Sequence, residues 1–287
     1  MNLAKLELPA LALPGRRRHR RLPPRLRPAL AILGVSALVA LAGPWLVSHE
    51  PNAQDLVNKL AAPSWEHPLG TDELGRDTLS RVVHAARLDI GVGLVGAVLP
   101  FLVGAVLGAM AGYWGGFVDA LVMKASELIV TLPVYVLTIV LIAYLGTGVG
   151  AIVVAYTLVG WVPYARLIRA TISRVKHEEY VDAARLGGVR SVSLLARHIV
   201  PNSYRESMGL LALDVMSVIL VLASFSYLGL GSRPPDPEWG SMVAAAQPYL
   251  QQQWWLIVAP GVAIGFVGLG FVLLSEAVDD PNRLEVS

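Results

Sequence analysis

Long stretches without a charged residue constrain this chain more than any other feature. Pro28–Val47 runs for 20 residues with no Asp, Glu, Lys or Arg, and the pattern recurs at Ile90–Phe117, Leu128–Ala165, Val215–Ser232 and Trp239–Ser275. A helix rises about 1.5 Å per residue, so such a run crosses a hydrocarbon layer of about 30 Å. With no water there to satisfy the backbone, helix is the form these segments adopt. Only 15% of the 287 residues are charged against 55% hydrophobic, which is too little polar surface to cover a water-facing globule. A length compatible with one or two soluble domains is overridden by this composition. The chain has no cysteine, which excludes a disulfide framework, thiolate metal sites and cysteine nucleophiles.

The 38-residue run Leu128–Ala165 is too long for one crossing and is interrupted at Gly146-Thr147-Gly148-Val149-Gly150, where helix breakers cluster. Read as a helical hairpin, it brings the count to six spans: 28–48, 89–113, 127–146, 149–167, 207–230 and 253–276. The fold class is therefore all-α, a polytopic membrane protein with six transmembrane helices. A signal peptide competes for the first run, but its apolar core would be shorter and end at a small-residue cleavage site, whereas this one ends Gly43-Pro44-Trp45.

Basic residues set the orientation. The arm 1–27 holds eight (Lys5, Arg16, Arg17, Arg18, Arg20, Arg21, Arg25, Arg27), and eight more lie between Pro163 and Glu206. Segment 49–88 has only Lys59, Arg76, Arg81 and Arg87, outweighed by acids, and loop 231–252 has Arg233 alone. Both termini are thus expected in the cytoplasm, with a basic arm 1–27, a transmembrane domain 28–276 containing the extracytoplasmic segment 49–88 and the cytoplasmic loop 168–206, and a tail 277–287. The arm has no interleaved aromatics and abuts a span, so topology and contact with anionic membrane lipid explain it better than nucleic-acid binding.

Several motifs fail on context. Gly91-Val92-Gly93-Leu94-Val95-Gly96 fits the dinucleotide pattern GxGxxG but lies inside an uncharged span, without the strand that pattern needs. Gly104, Gly108 and Gly112 follow at every fourth residue, a stripe that lets another helix backbone approach closely, and Gly261 and Gly265 repeat it. The six histidines show no metal-ligand spacing, and no phosphate loop is present. Pro100, Pro133, Pro163 and Pro260 fall inside spans, where each removes a backbone donor.

Asp214 is the one ionisable residue well inside a span. An intramembrane carboxylate should face the bundle interior or a wet cavity. Two readings stand: it lines a substrate path and meets a cationic group, or it is hydrated near the cytoplasmic end or held by a neighbouring helix. In segment 49–88, Asp72, Arg76, Asp77 and Arg81 likewise either shape a mouth for partner proteins or pair among themselves to hold the start of the second span.

The cytoplasmic loop reads Glu178-Glu179-Tyr180-Val181-Asp182-Ala183-Ala184-Arg185-Leu186-Gly187-Gly188, continuing to Arg197-His198-Ile199-Val200-Pro201-Asn202. Gly187-Gly188 ends one short helix, and Pro201 closes a second. Asp182-Ala183-Ala184, three residues, Gly188, nine residues and a closing Val200-Pro201 resemble the loop signature of importer-type ABC transporter permeases. Aspartate stands for the usual glutamate and valine for leucine. His67 through Arg81, containing Gly70, Thr71, Asp72, Gly75, Arg76 and Asp77, resembles the segment after the first span in the dipeptide/oligopeptide/nickel branch. Ser226-Tyr227-Leu228-Gly229-Leu230-Gly231 and Pro234 to Met242 resemble that branch's fifth-span end and following loop. The likeness covers about residues 28 to 282.

The resemblance implies a type I ABC importer permease fold and a C-type permease subunit, with no catalytic, cofactor or metal site of its own. ATP and Mg would be bound by two partner ATPase subunits, a second (B-type) permease would complete the path, and an extracytoplasmic solute-binding protein would deliver the solute. The loop 178–202, through Glu179, Asp182, Ala183, Ala184, Gly188, His198, Pro201 and Asn202, would dock on an ATPase. Dipeptides or oligopeptides are the expected solutes, with nickel or a metal chelate as the alternative. A secondary transporter built on Asp214 is the reading from another class, and it would usually carry more intramembrane polar groups.

Overall fold

The computed structural model describes residues 23–179, 181, 186, 205–232 and 234–279. Among them the regular structure is helical: α1 (Leu26–Leu46), α2 (Thr78–Trp114), α3 (Gly116–Val130), α4 (Val134–Leu145), α5 (Val149–Val175), α6 (Arg205–Tyr227), α7 (Trp239–Ala246) and α8 (Trp255–Val278), with single 3-10 turns at Leu56–Asn58 and Gln247–Tyr249. Five of these, α1, α2, α5, α6 and α8, are long and apolar enough to cross a membrane.

The sixth crossing differs from the straight helix expected at 127–146. It is broken between α3 and α4, which meet at 91°. Pro133 is the physical cause: it lacks a backbone donor and forces the preceding residue out of helical geometry, so the chain restarts with Pro133 as the N-cap of α4. With 15 and 12 residues, α3 and α4 are each about 20 Å long, short of the hydrocarbon thickness. The expected break after it is present, with Gly146 and Gly148 at φ +94° and +129° between α4 and α5. Only glycine takes such angles without strain.

Helix directions follow from which residues meet. A Cβ added at Gly104 would lie 2.5 Å from the carbonyl oxygen of Trp161, one at Gly108 2.5 Å from that of Ala165, and one at Gly112 2.8 Å from that of Arg169. The partners advance together along both helices, so α2 and α5 run parallel, backbone against backbone. Two parallel spans require the chain to return between them, and α3–α4 makes that return. Gly93 faces Val215 and Ile219, and Gly96 faces Val218; the start of α2 (Val82, Asp89) meets Trp239, whose neighbour Gly240 lies against Ala223 near the end of α6, so α6 runs antiparallel to α2. Gly270 faces Ile32 and Leu33, and Arg25 pairs with Glu276 at 2.8 Å, so α8 runs antiparallel to α1. The start of α1 and the end of α8 therefore lie at one end of the bundle, and residues 49–77 at the other. Gly261 and Gly265, read from sequence as a second close-packing stripe, have no atom within 4 Å of an added Cβ.

Hydropathy marked only part of two helices. α2 begins eleven residues before the expected 89, and α5 runs eight beyond 167. These extensions carry polar residues and project past the apolar layer. The loop 231–252 contains α7, whose N-cap Glu238 accepts from the backbone amides of Gly240 and Ser241 at 2.7 and 2.8 Å.

Gly108→Leu is expected to destabilise the chain strongly, because overpacking costs about 1–3 kcal/mol even where side chains yield and the obstacle here is backbone. Gly261→Leu should leave the isolated chain's melting midpoint within a degree or two. Equal midpoints for the two variants would remove the α2–α5 contact as the reason for the stripe.

Candidate functional site

The segment resembling a family motif folds into a clasp over the start of α2. Its turn is held by Asp72, whose Oδ1 accepts from the amides of Leu74 and Arg76 at 2.9 and 3.0 Å. Asp72 Oδ2 accepts from Arg76 Nε at 2.6 Å and lies 3.6 Å from Arg81 Nε. Gly75 occupies φ +73°, with Asp55 pressed against the place where a side chain would be. Gly70, at φ +69°, is closed in the same way by the carbonyl of Ala61 and the indole of Trp255. Buried Thr71 donates through its hydroxyl to the Asn58 carbonyl and accepts from the Ala61 amide at 2.9 Å.

Asp77 is the N-cap of α2, accepting from the Ser80 amide at 2.7 Å through Oδ2, while its Oδ1 meets His67 Nδ1 at 3.0 Å. A cap of this kind satisfies amides left open at a helix start. Arg76, Asp77, Ser80 and Arg81 are all buried. Arg81 donates to the carbonyl of Pro51 at 2.9 Å and to Asn52 Oδ1 at 3.2 Å, tying the end of α1 to α2. Of the two sequence readings of these charges, the geometry is that of mutual pairing around the start of the second span.

The second family-like segment completes the same end. Gly229 N–H bonds to Ser226 O at 2.9 Å and Leu230 N–H to Phe225 O at 2.8 Å, with Gly229 at φ +81°. That is a Schellman ending, in which glycine supplies the left-handed residue. Leu230 O then accepts from Gly148 N–H at 2.9 Å, joining the end of α6 to the start of α5. Beyond it, the indole of Trp239 donates to Val82 O at 3.0 Å, and the Trp239 amide to Asp89 Oδ2 at 3.3 Å. Asp89 and Glu238 are both fully buried where α7 meets α2.

Asp214 is half-buried on α6, and both of its oxygens are engaged. Tyr156 Oη donates to Oδ1 at 2.5 Å and Tyr164 Oη to Oδ2 at 2.9 Å. The tyrosines are about two turns apart on α5, and the carboxylate sits between them. Asp214 is thus held by a neighbouring helix. Sequence reasoning did not single out the tyrosines, since nothing in their spacing tells which helix faces them.

At the opposite end from the clasp, Arg169 forms a two-pronged ion pair with Asp119, and Lys176 Nζ donates to Gly112 O at 2.9 Å. Val181 is fully buried against Ala109, Ile168 and Ile172, and Glu179 is exposed. Asp182, Ala183, Ala184, Gly188, His198, Pro201 and Asn202 lie outside the described residues.

Residues 104–280 match the family model described as binding-protein-dependent transport system inner membrane component. The chain belongs to this family. Its match starts at the first glycine of the stripe against α5 and takes in α3 to α8, while α1, the clasp and the start of α2 precede it. The chain is 36% identical over 249 residues to the probable D,D-dipeptide transport system permease protein of Escherichia coli K12, spanning 87% of this chain and 84% of that one. It is 35% identical over 247 residues to the di/tripeptide transport system permease protein of Pseudomonas aeruginosa UCBPP-PA14, with 84% and 82% covered. The nickel transport system permease protein of Escherichia coli K12 matches at 34% over 254 residues, with 88% and 92% covered. This is a multi-pass permease component of an ABC importer, with an all-α permease fold, and the secondary-transporter reading of Asp214 is superseded.

Arg76→Ala is expected to lower the melting midpoint sharply, because removing one partner of a buried ion pair costs about 3–5 kcal/mol; a wild-type midpoint would show that Asp72 is satisfied without it. Asp214→Ala strips two buried hydroxyls of their acceptor at about 1–3 kcal/mol each, whereas Asp214→Asn keeps one acceptor and should fall between. Thermal unfolding of the detergent-solubilised chain ranks the three.

Proposed function

We propose that this chain is the C-type permease subunit of an importer for dipeptides or oligopeptides in the bacterial inner membrane. It pairs with a B-type permease to enclose the path. Two ATPase subunits bind and hydrolyse ATP with Mg beneath it, and an extracytoplasmic binding protein delivers the solute. Both termini lie in the cytoplasm. The Arg25–Glu276 pair, which brings the start of α1 and the end of α8 to one face, supports this placement, as does the concentration of basic residues in the sequence on that side.

The observation that carries the coupling mechanism is the seat of Val181 among Ala109, Ile168 and Ile172. The segment leading into the loop 178–202 is anchored on the cytoplasmic ends of α2 and α5. Those helices touch backbone to backbone and have little freedom to slide independently. A displacement of the loop by a closing ATPase would therefore move α2 and α5 as one body, the kind of rigid motion that alternates access. Ala183, Ala184 and Gly188 are small enough for close docking in an ATPase groove. Peptide is favoured over nickel by the names of two of the relatives above and by the lack of histidine in the apolar middle of the described spans.

Reconstitution with the partner subunits and the cognate binding protein tests both parts. Labelled dipeptide uptake should require ATP, and Gly188→Glu should lower it at least tenfold at unchanged membrane level. Normal uptake by that variant would refute the docking role; ATP-driven nickel uptake without peptide uptake would refute the solute.

A further inference from the structure

His49 and His67 are 18 residues apart in sequence, a separation that matches no ligand motif, yet the clasp brings their rings to a centroid distance of 4.8 Å. Glu66 joins them: one donor atom from each of His49, Glu66 and His67 lies within 4.8 Å of the other two. We propose that these three side chains form a binding site for a late first-row divalent cation of the zinc class, which the sequence pattern does not reveal.

The chemistry of the donors and their support points there. Two imidazoles and one carboxylate form a three-ligand set that zinc accepts, leaving one position for water. The harder magnesium and calcium ions prefer oxygen donors throughout. His67 is already oriented as a ligand would be: its Nδ1 meets buried Asp77 Oδ1 at 3.0 Å, which leaves Nε2 for the metal. A carboxylate behind a metal-bound histidine holds the ring and raises its basicity. Asp77 is itself fixed by the Ser80 amide. His49 is held through its main chain, whose carbonyl accepts from Ser80 Oγ at 2.6 Å. Within the clasp, Arg76 is engaged by Asp72 and Glu73, and Arg81 by Pro51 and Asn52. Tetrahedral bonds of about 2.0–2.1 Å place ligand atoms about 3.4 Å apart, and exposed Glu66 can make that closure by changing rotamer.

A cation here would link the chain leaving α1 to the cap of α2, clamping the segment over the start of the second span. It is a resident ion, distinct from any solute carried through the path. The site stands on this chain's own geometry and does not depend on the peptide reading.

The test is zinc binding to the full-length chain in its purified transporter complex, carrying no histidine tag and stripped with chelator. Wild type should bind one zinc per chain by calorimetry, with nitrogen and oxygen neighbours in its X-ray absorption spectrum, and added zinc should raise its melting midpoint. His49→Ala and Glu66→Gln should each weaken binding at least tenfold and abolish the zinc-induced shift, while melting like wild type in chelator, which separates loss of ligand from loss of fold. The bound zinc should survive ATP turnover, as a resident ion would; release on turnover would mark it as cargo and overturn the proposal. Absence of binding by wild type, or undiminished binding by both variants, would overturn it as well.

Discussion

The direct seating of α2 on the backbone of α5 is the contact on which the rest of the bundle depends. In lipid there is no hydrophobic force to press one apolar helix against another, so close association has to come from dispersion and shape. Gly104, Gly108 and Gly112 remove the side chains that would hold the helices apart, and the carbonyls of Trp161, Ala165 and Arg169 occupy the space. Once the two helices run parallel, the intervening chain has to cross back, α6 is left to pack antiparallel on the other face of α2, and Tyr156 and Tyr164 are turned toward Asp214.

The two ends of this pair are finished differently. At the clasp end, the α2 amides are capped by Asp77, and a buried network of Asp72, Arg76 and Arg81 ties in the chain from α1. At the other end, Arg169 pairs with Asp119 and Lys176 with the Gly112 carbonyl, which satisfies backbone and charge where α2 stops. The pair is thus pinned at both ends and tight in the middle, a construction suited to moving as a unit.

Much of this is legible in the sequence. The charge-free runs located the spans, and the every-fourth-residue glycines named the close-packed face of α2. Gly146 to Gly150 marked the turn before α5. Gly261 and Gly265 meet no other helix within this chain: a stripe of small residues says that close approach is permitted, not which helix makes it. Pro133 was recognised as a span proline, but whether a helix bends around a proline or restarts after it depends on what packs against the break. Asp214 was recognisable as exceptional, while its tyrosine partners were not.

Sequence by itself determined the class, the number of crossings and the segregation of charge, because hydropathy, breakers and charge act locally along the chain. The tertiary structure alone decided which helices face each other, and therefore that Asp214 meets two hydroxyls, that Arg81 reaches Pro51 and Asn52, and that His49 comes to lie beside His67. Such meetings depend on the pairing and direction of whole helices, which no local spacing encodes.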